Sequence, residues 1–344
     1  MTDLSLQSSH LILPKANRDA LQLEGLTALR GRFNELFDYP DTQGDSGLRE
    51  DIERITPNWD GDTLITSSAT QALSLALNLV GRGKKLALYV PSYFAAIRQA
   101  NELNQEIKTW STVEELESLG DLDVVLVTSN HTPPSGTSFT NEEKERIASV
   151  AQKNKSWLIE DNAYEPLWFD HAPKPIKADP NKTIRVGSLS KIAGPGFRLG
   201  FIKAKEEVLK QLRSMKITSE LSTPLLSQVV VRPALRYDEL QILRDELHRR
   251  SDRLREGLNS IARTEIPKPD GGPYLKLALP ARVEPKELQA CTASRGLKID
   301  TNEHQYPDGR QRDHIRLHCG AIEKANIDQA VEILEGSINE VQVK

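Results

Sequence analysis

Short apolar runs recur along the first two thirds of the chain, and longer stretches with apolar residues three and four apart separate many of them. The runs at 63–66, 86–90, 124–127, 157–160, 183–186 and 199–202 predict short, largely buried strands. Helical periodicity marks 70–80, 92–104, 141–154 and 206–217. Asn141, with Glu142 and Glu143 behind it, reads as a helix entry with acids in the first turn. The alternation predicts an α/β fold, a mainly parallel sheet covered by helices.

Beyond about residue 235 the pattern changes. A long charged helix from Asp238 to about Ile261 leads into the turn-rich Pro267–Pro273. Strands are predicted at 274–279 and 314–317, with helices near 285–295 and 323–340. The expected organisation is an N-terminal segment, 1–40, packed with the small domain, then a large domain, 41–235, and a small α+β domain, 236–344.

Composition narrows the class without naming a reaction. The chain has 344 residues, 38% apolar and 27% charged, which predicts a soluble globular protein with room for two lobes. Lys and Arg total 45 against 49 Asp and Glu, so a broad nucleic-acid surface is not expected. Cys291 and Cys319 are too few for a disulfide framework and fit a reducing compartment. The opening Met-Thr-Asp-Leu-Ser has neither the basic nor the apolar region expected of a leader peptide, and no apolar run approaches the roughly 18 residues of a membrane span. A cytoplasmic protein that touches no membrane is the expectation.

The chemistry lies where predicted strands end. Thr66–Thr70, Asn130–His131, Asp161–Asn162 and Ser188–Lys191 are polar, and ligands of open parallel sheets bind beyond the carboxyl ends of strands. In isolation, Ser-x-Ser-Lys is a common loop with a solvated lysine. Here Gly187-Ser-Leu-Ser-Lys-Ile-Ala-Gly-Pro-Gly-Phe-Arg-Leu-Gly200 resembles the lysine motif of fold-type I pyridoxal-phosphate enzymes, specifically the class I/II aminotransferases. Their fold, a seven-stranded-type sheet with a smaller α+β domain, is what the resemblance implies. It also implies pyridoxal 5'-phosphate as cofactor, joined to Lys191 as a Schiff base, with Ser188, Ser190 and Arg198 on its phosphate. Glu160-Asp-Asn-Ala-Tyr-Glu-Pro-Leu167 looks like the family's Asp-x-x-Tyr, implying Asp161 on the pyridine nitrogen and Tyr164 on the phenolic oxygen.

Further motifs extend the match. Ile65-Thr-Ser-Ser-Ala-Thr70 is a strand-to-helix junction suited to phosphate, assigned to Ser68, Ala69 and Thr70, although the family usually has Gly where Ser68 stands. Val90-Pro-Ser-Tyr93 resembles Pro-x-Tyr, whose ring stacks on the cofactor. His314-Ile-Arg-Leu317 matches the strand whose Arg316 clamps a substrate α-carboxylate. Tyr39, followed by Gly44 and Leu48-Arg49, resembles the tyrosine that reaches the neighbouring subunit's phosphate, implying a homodimer. One departure stands out: the family's Asn-Pro-Thr-Gly is Pro133-Pro-Ser-Gly136 here, so either Asn130, His131 or Asn162 replaces that asparagine, with Asn130 assigned, or the contact is absent.

The implied activity is transfer of an amino group between an L-amino acid and a 2-oxo acid, as in the branch with 2-aminoadipate and kynurenine aminotransferases. Lys191, Asp161 and Tyr164 would carry the chemistry, and no metal is expected. A pyridoxal-phosphate decarboxylase, lyase or cyclising enzyme is the same-cofactor alternative. A non-catalytic effector sensor is the alternative of another class. No arginine for the substrate side chain can be placed from sequence, so acidic, aromatic and aliphatic donors all stay open.

Overall fold

The alternating runs fold into one seven-stranded sheet beside a small antiparallel pair. The computed structural model describes residues 2–4, 15–261, 265–322 and 324–343. Its strands are β1 (Thr2–Asp3), β2 (Asp62–Thr66), β3 (Lys85–Tyr89), β4 (Glu106–Trp110), β5 (Val124–Val127), β6 (Trp157–Asp161), β7 (Thr183–Ser188), β8 (Gly200–Ala204), β9 (Tyr274–Ala278), β10 (Leu297–Lys298) and β11 (His314–His318). The large sheet runs β2-β8-β7-β6-β5-β3-β4. Its strands are parallel except β8, which is antiparallel to both neighbours. Only a short 3-10 turn, Pro195–Phe197, lies between β7 and β8, and a strand that follows without a helical crossover pairs antiparallel.

Helices α1 (Lys15–Gly31) and α2 (Ser46–Ile55) precede the sheet; α3 (Ala69–Val80), α4 (Phe94–Glu102), α5 (Val113–Ser118), α6 (Asn141–Asn154) and α7 (Glu206–Ser219) cover it. Side chains alternate across each strand. Leu86 and Leu88 of β3 therefore join Leu73 and Ala76 of α3 and Leu212 of α7 on one face. Ala87 joins Trp110, Ile147 and Ala151 on the other. Each such leucine, fully withdrawn from water, contributes roughly 2 kcal/mol.

Helix α8 (Leu225–Val231) leads to α9 (Tyr237–Asn259), and the small unit adds the β9–β11 pair with α10 (Pro285–Ser294) and α11 (Ile327–Val343). The N-terminal segment attaches at two places: β1 pairs in parallel with β10, while α1 packs on α8. Residues 5–14 of that segment lie outside the described residues.

Two local expectations needed revision. Strand β4 was not predicted, because only Trp110 of Glu-Ile-Lys-Thr-Trp is buried on this sheet edge. The cap of α6 is Thr140 rather than Asn141: its hydroxyl accepts the Glu143 N–H while the Glu143 carboxylate accepts the Thr140 N–H.

Candidate active site

Beyond the carboxyl ends of β2, β3, β6 and β7 lies a cavity of about 860 Å³, lined on its far side by residues 299–301 and 303–305 and by Arg316 of the small unit. Of the residues expected from sequence, Ser68, Ala69, Thr70, Tyr93, Asp161, Tyr164, Ser188, Ser190, Lys191, Arg198 and Arg316 all line it.

The residues expected on a phosphate sit on two turns. Ser68 caps α3, and Ala69 and Thr70, whose amides are the first of the helix, line the cavity. Thr70 Oγ1 lies 3.1 Å from Tyr93 Oη, tying this turn to the next strand end. Ser68 has φ 134° and ψ 164°, a backbone state suited to glycine. The family's glycine at this position is thus explained by conformation. Its cap bond to the Gln71 N–H is long, 3.4 Å, so little is lost without the hydroxyl. Ser68→Gly is expected to raise stability by roughly 1 kcal/mol, read as a higher urea midpoint; an unchanged or lower midpoint would contradict the strain. A glycine is also required at Gly200, where a Cβ would stand 2.3 Å from the Ala69 nitrogen. On the second turn, Ser188 Oγ accepts the Ser190 N–H at 3.2 Å, and Arg198 turns back on a left-handed residue, φ 54°.

Asp161, at the end of β6, is 7% exposed, and its Oδ1 has no hydrogen-bond partner. Burial pushes its carboxyl up to about 7, opposed by the Ala163 N–H. A carboxyl in that condition is poised for a cationic partner. Next to it, the Tyr164 hydroxyl lies 3.1 Å from that of Tyr274, and burial holds the Tyr164 phenol well above its usual range. Lys191 Nζ stands 5.9 Å from the Tyr164 ring centroid.

Arg316 is 4% exposed, with its guanidinium carbon 4.6 Å from the Tyr274 ring centroid. One Nη donates to Asp300 at 2.7 Å, and Nε has no partner. The arginine expected to clamp a carboxylate therefore already shares its charge with the buried carboxylate of Asp300. Asp300→Ala is expected to cost roughly 3 kcal/mol by leaving Arg316 unpaired, while lowering KM for a carboxylate-bearing donor several-fold. Urea denaturation and initial rates check the two effects; a raised KM would show instead that Asp300 orients the clamp.

Two expected residues are not in the cavity. Asn130 needs correction: it is fully buried, its amide donates to Glu165 at 2.9 Å and its oxygen accepts from Lys144 Nζ at 2.6 Å. The other substitutes fare no better. Asn162 is bonded to Ser129, and His131 is buried against Gly271 and Gly272, its imidazole pushed down to about 3 by desolvation. Pro133 lines the cavity without a donor to offer. Tyr39 lies apart, 86% exposed. Sequence reasoning also missed Tyr274, Asp300 and Arg98. Arg98 lines the cavity with its guanidinium carbon 5.4 Å from the Phe94 ring centroid.

The family model for aminotransferase class I and II matches residues 3–334. An uncharacterized aminotransferase of Saccharolobus solfataricus is 24% identical across 95% of this chain and 85% of its own. The HTH-type transcriptional regulator NorG of Staphylococcus aureus is 27% identical over 78% of this chain and 64% of its own length. Among solved structures, a kynurenine aminotransferase of Pyrococcus horikoshii, in complex with PMP, superposes with a TM-score of 0.86 at 22% identity, covering 99% of this chain and 91% of the other.

Proposed function

We propose, for a chain that belongs to the aminotransferase class I and II family, that pyridoxal 5'-phosphate is its cofactor and that the cavity at the strand ends is where amino transfer occurs. The protein is an enzyme that moves an amino group between an amino acid and a 2-oxo acid. Asp161 carries the cofactor reading: a buried carboxyl with an unpartnered oxygen, in one cavity with the Lys191 amine. The protonated ring nitrogen of the cofactor is the kind of cation that carboxyl lacks. Ser188, Ser190, Arg198 and the Ala69 and Thr70 amides suit its phosphate, and Tyr93 offers a ring to stack on it.

Bound there, the cofactor supplies an electron sink that makes the α-proton of an amino acid removable. Lys191 Nζ anchors the cofactor between turnovers. Freed from that role, the same amine would take the proton from the substrate Cα and deliver it to the cofactor instead of back to Cα, which is what lets the substrate leave as a 2-oxo acid. Asp161 keeps the proton on the ring nitrogen. Tyr164, oriented by Tyr274, stands beside the lysine. Arg316 offers Nε and its free Nη hydrogens to the α-carboxylate, while Asp300 holds the remaining Nη and competes for the charge. Borohydride reduction followed by peptide mass mapping tests the anchor: the cofactor's mass is expected on the peptide bearing Lys191, and an unmodified peptide would refute it.

The working unit we propose is a homodimer. Leu23, Leu26, Phe33, Phe37 and Tyr39 leave 53–86% of their surfaces exposed within one short segment, a concentration of apolar surface that a second copy would cover. Tyr39 would then reach the partner's phosphate site. Sedimentation is expected to give twice the chain mass; a monomer at working concentration would count against it. No helix among the described residues is long and apolar enough to cross a membrane. Cytoplasmic residence is the location we propose.

A further inference from the structure

The turn that lacks the family's asparagine and the tyrosine beside Tyr164 belong to one piece of structure. Pro133–Gly136 follows β5, and the Gly136 carbonyl accepts the Asp270 N–H at 2.9 Å and the Gly271 N–H at 3.3 Å. A Cβ at Gly136 would stand 2.8 Å from the Gly271 oxygen and 3.0 Å from the Tyr274 oxygen, so this turn packs directly on the segment that opens β9. That segment brings Tyr274 to Tyr164 across the boundary between the large sheet and the small unit. The two rings meet edge to face, centroids 5.4 Å apart and planes at 84°, with their hydroxyl oxygens at 3.1 Å. Tyr274 is 1% exposed. The Arg316 guanidinium and the His318 ring, 5.1 Å away, also hold its ring in place.

Burial decides where the two hydroxyl hydrogens go. Each phenol has one hydrogen, and only one of the two can lie between the oxygens. Tyr274 Oη makes no other hydrogen bond among the described residues. If Tyr164 donated, the Tyr274 hydrogen would be buried without an acceptor, a state that folded proteins avoid. If Tyr274 donates, its hydrogen is used, and the Tyr164 hydrogen is left for the cavity that Tyr164 lines. Burial holds the Tyr164 phenol well above its usual range, so that hydrogen is there to give.

We infer that Tyr274 donates to Tyr164 and so directs the Tyr164 hydrogen to the cofactor's phenolic oxygen, a positioning role that offsets the donor missing at Pro133. The inference rests on the cofactor reading above. A phenol that accepts one hydrogen bond donates a second more strongly, because the two polarise each other. Two tyrosines in series thus supply part of what a separate asparagine would give. Tyr274 does so without touching the cofactor, from the strand that pairs with the one bearing Arg316.

The test follows the visible absorption of the cofactor-loaded protein against pH, without turnover. The linkage to Lys191 carries a proton beside the phenolic oxygen, and a donor on that oxygen weakens its hold on the proton. Tyr274→Phe removes only the donating hydroxyl and keeps the ring. Its absorption midpoint is expected to lie higher than the parent's by roughly 0.5 in pH. Tyr164→Phe should raise the midpoint further. Adding Tyr274→Phe to that variant should then change nothing, because Tyr274 acts only through Tyr164. The other titratable groups around the pair are Asp161 and Lys191 in the cavity, Arg316 and His318 on β11, and His131 against Gly272. All of them are kept in the three variants. An unchanged or lower midpoint in Tyr274→Phe, or additive shifts in the double variant, would overturn the inference while the cofactor reading stands. A parent protein that gains no visible band with pyridoxal 5'-phosphate would overturn both.

Discussion

Lys191→Ala is expected to abolish amino transfer, lowering kcat by at least about 10⁴-fold, while leaving the fold intact. The effect is large because one nitrogen has two tasks, anchoring the cofactor and carrying the proton, and alanine can do neither. The fold is spared because Lys191 is only partly buried and its amine stands 5.9 Å from the Tyr164 ring centroid, a weak contact to lose. Urea midpoints of variant and parent should therefore agree. Added small primary amines should restore part of the rate, since they replace the lost base without replacing the anchor. A variant that keeps activity within tenfold of the parent would remove Lys191 from the chemistry.

Asp161→Asn has the next largest expected effect, and its two consequences have opposite signs. Activity should fall about 10²–10⁴-fold, the range for a misplaced or missing proton partner. Cofactor-free stability should rise relative to the parent as pH increases. In the folded protein the Asp161 carboxyl is raised from its ordinary 3.8 to about 7. Between those values the native state keeps a proton that the unfolded chain has released, so this residue makes the parent less stable as pH rises from about 4 to about 7. The slope is at most ~1.4 kcal/mol per pH unit, and an asparagine does not contribute it. Loading the cofactor should shrink the difference, because a cation beside Asp161 favours its ionised form. Urea denaturation of both proteins at pH 5 and pH 8, with and without cofactor, reads the sign. Parallel pH curves would mean that Asp161 is not a buried, unpartnered carboxyl.

The large sheet was legible because most of its strands are buried on both faces and read as continuous apolar runs. Val124–Val127 is buried at every position. Glu106–Trp110 was not, since an edge strand faces water and carries no such run. Lys191, Ser188, Ser190 and Arg198 could be grouped because one short loop carries them all. Asp161 and Tyr164 share a strand end in the same way. Asp300 could not be found like this: it meets Arg316 only through pairing of distant segments, and its carboxylate looks like any other in the chain. Asn130 shows the reverse error. It stands at a strand end, as expected, but Lys144 on the inner side of α6 and Glu165 draw its amide away from the cavity.

Release of 2-oxo acid by the cofactor-loaded enzyme, given an amino donor and no acceptor, tests the central claim most directly. The account predicts one equivalent of 2-oxo acid per active site, the amino group retained on the protein until an acceptor is added, and no carbon dioxide. Continuous product formation without an acceptor, or carbon dioxide in place of the 2-oxo acid, would contradict it.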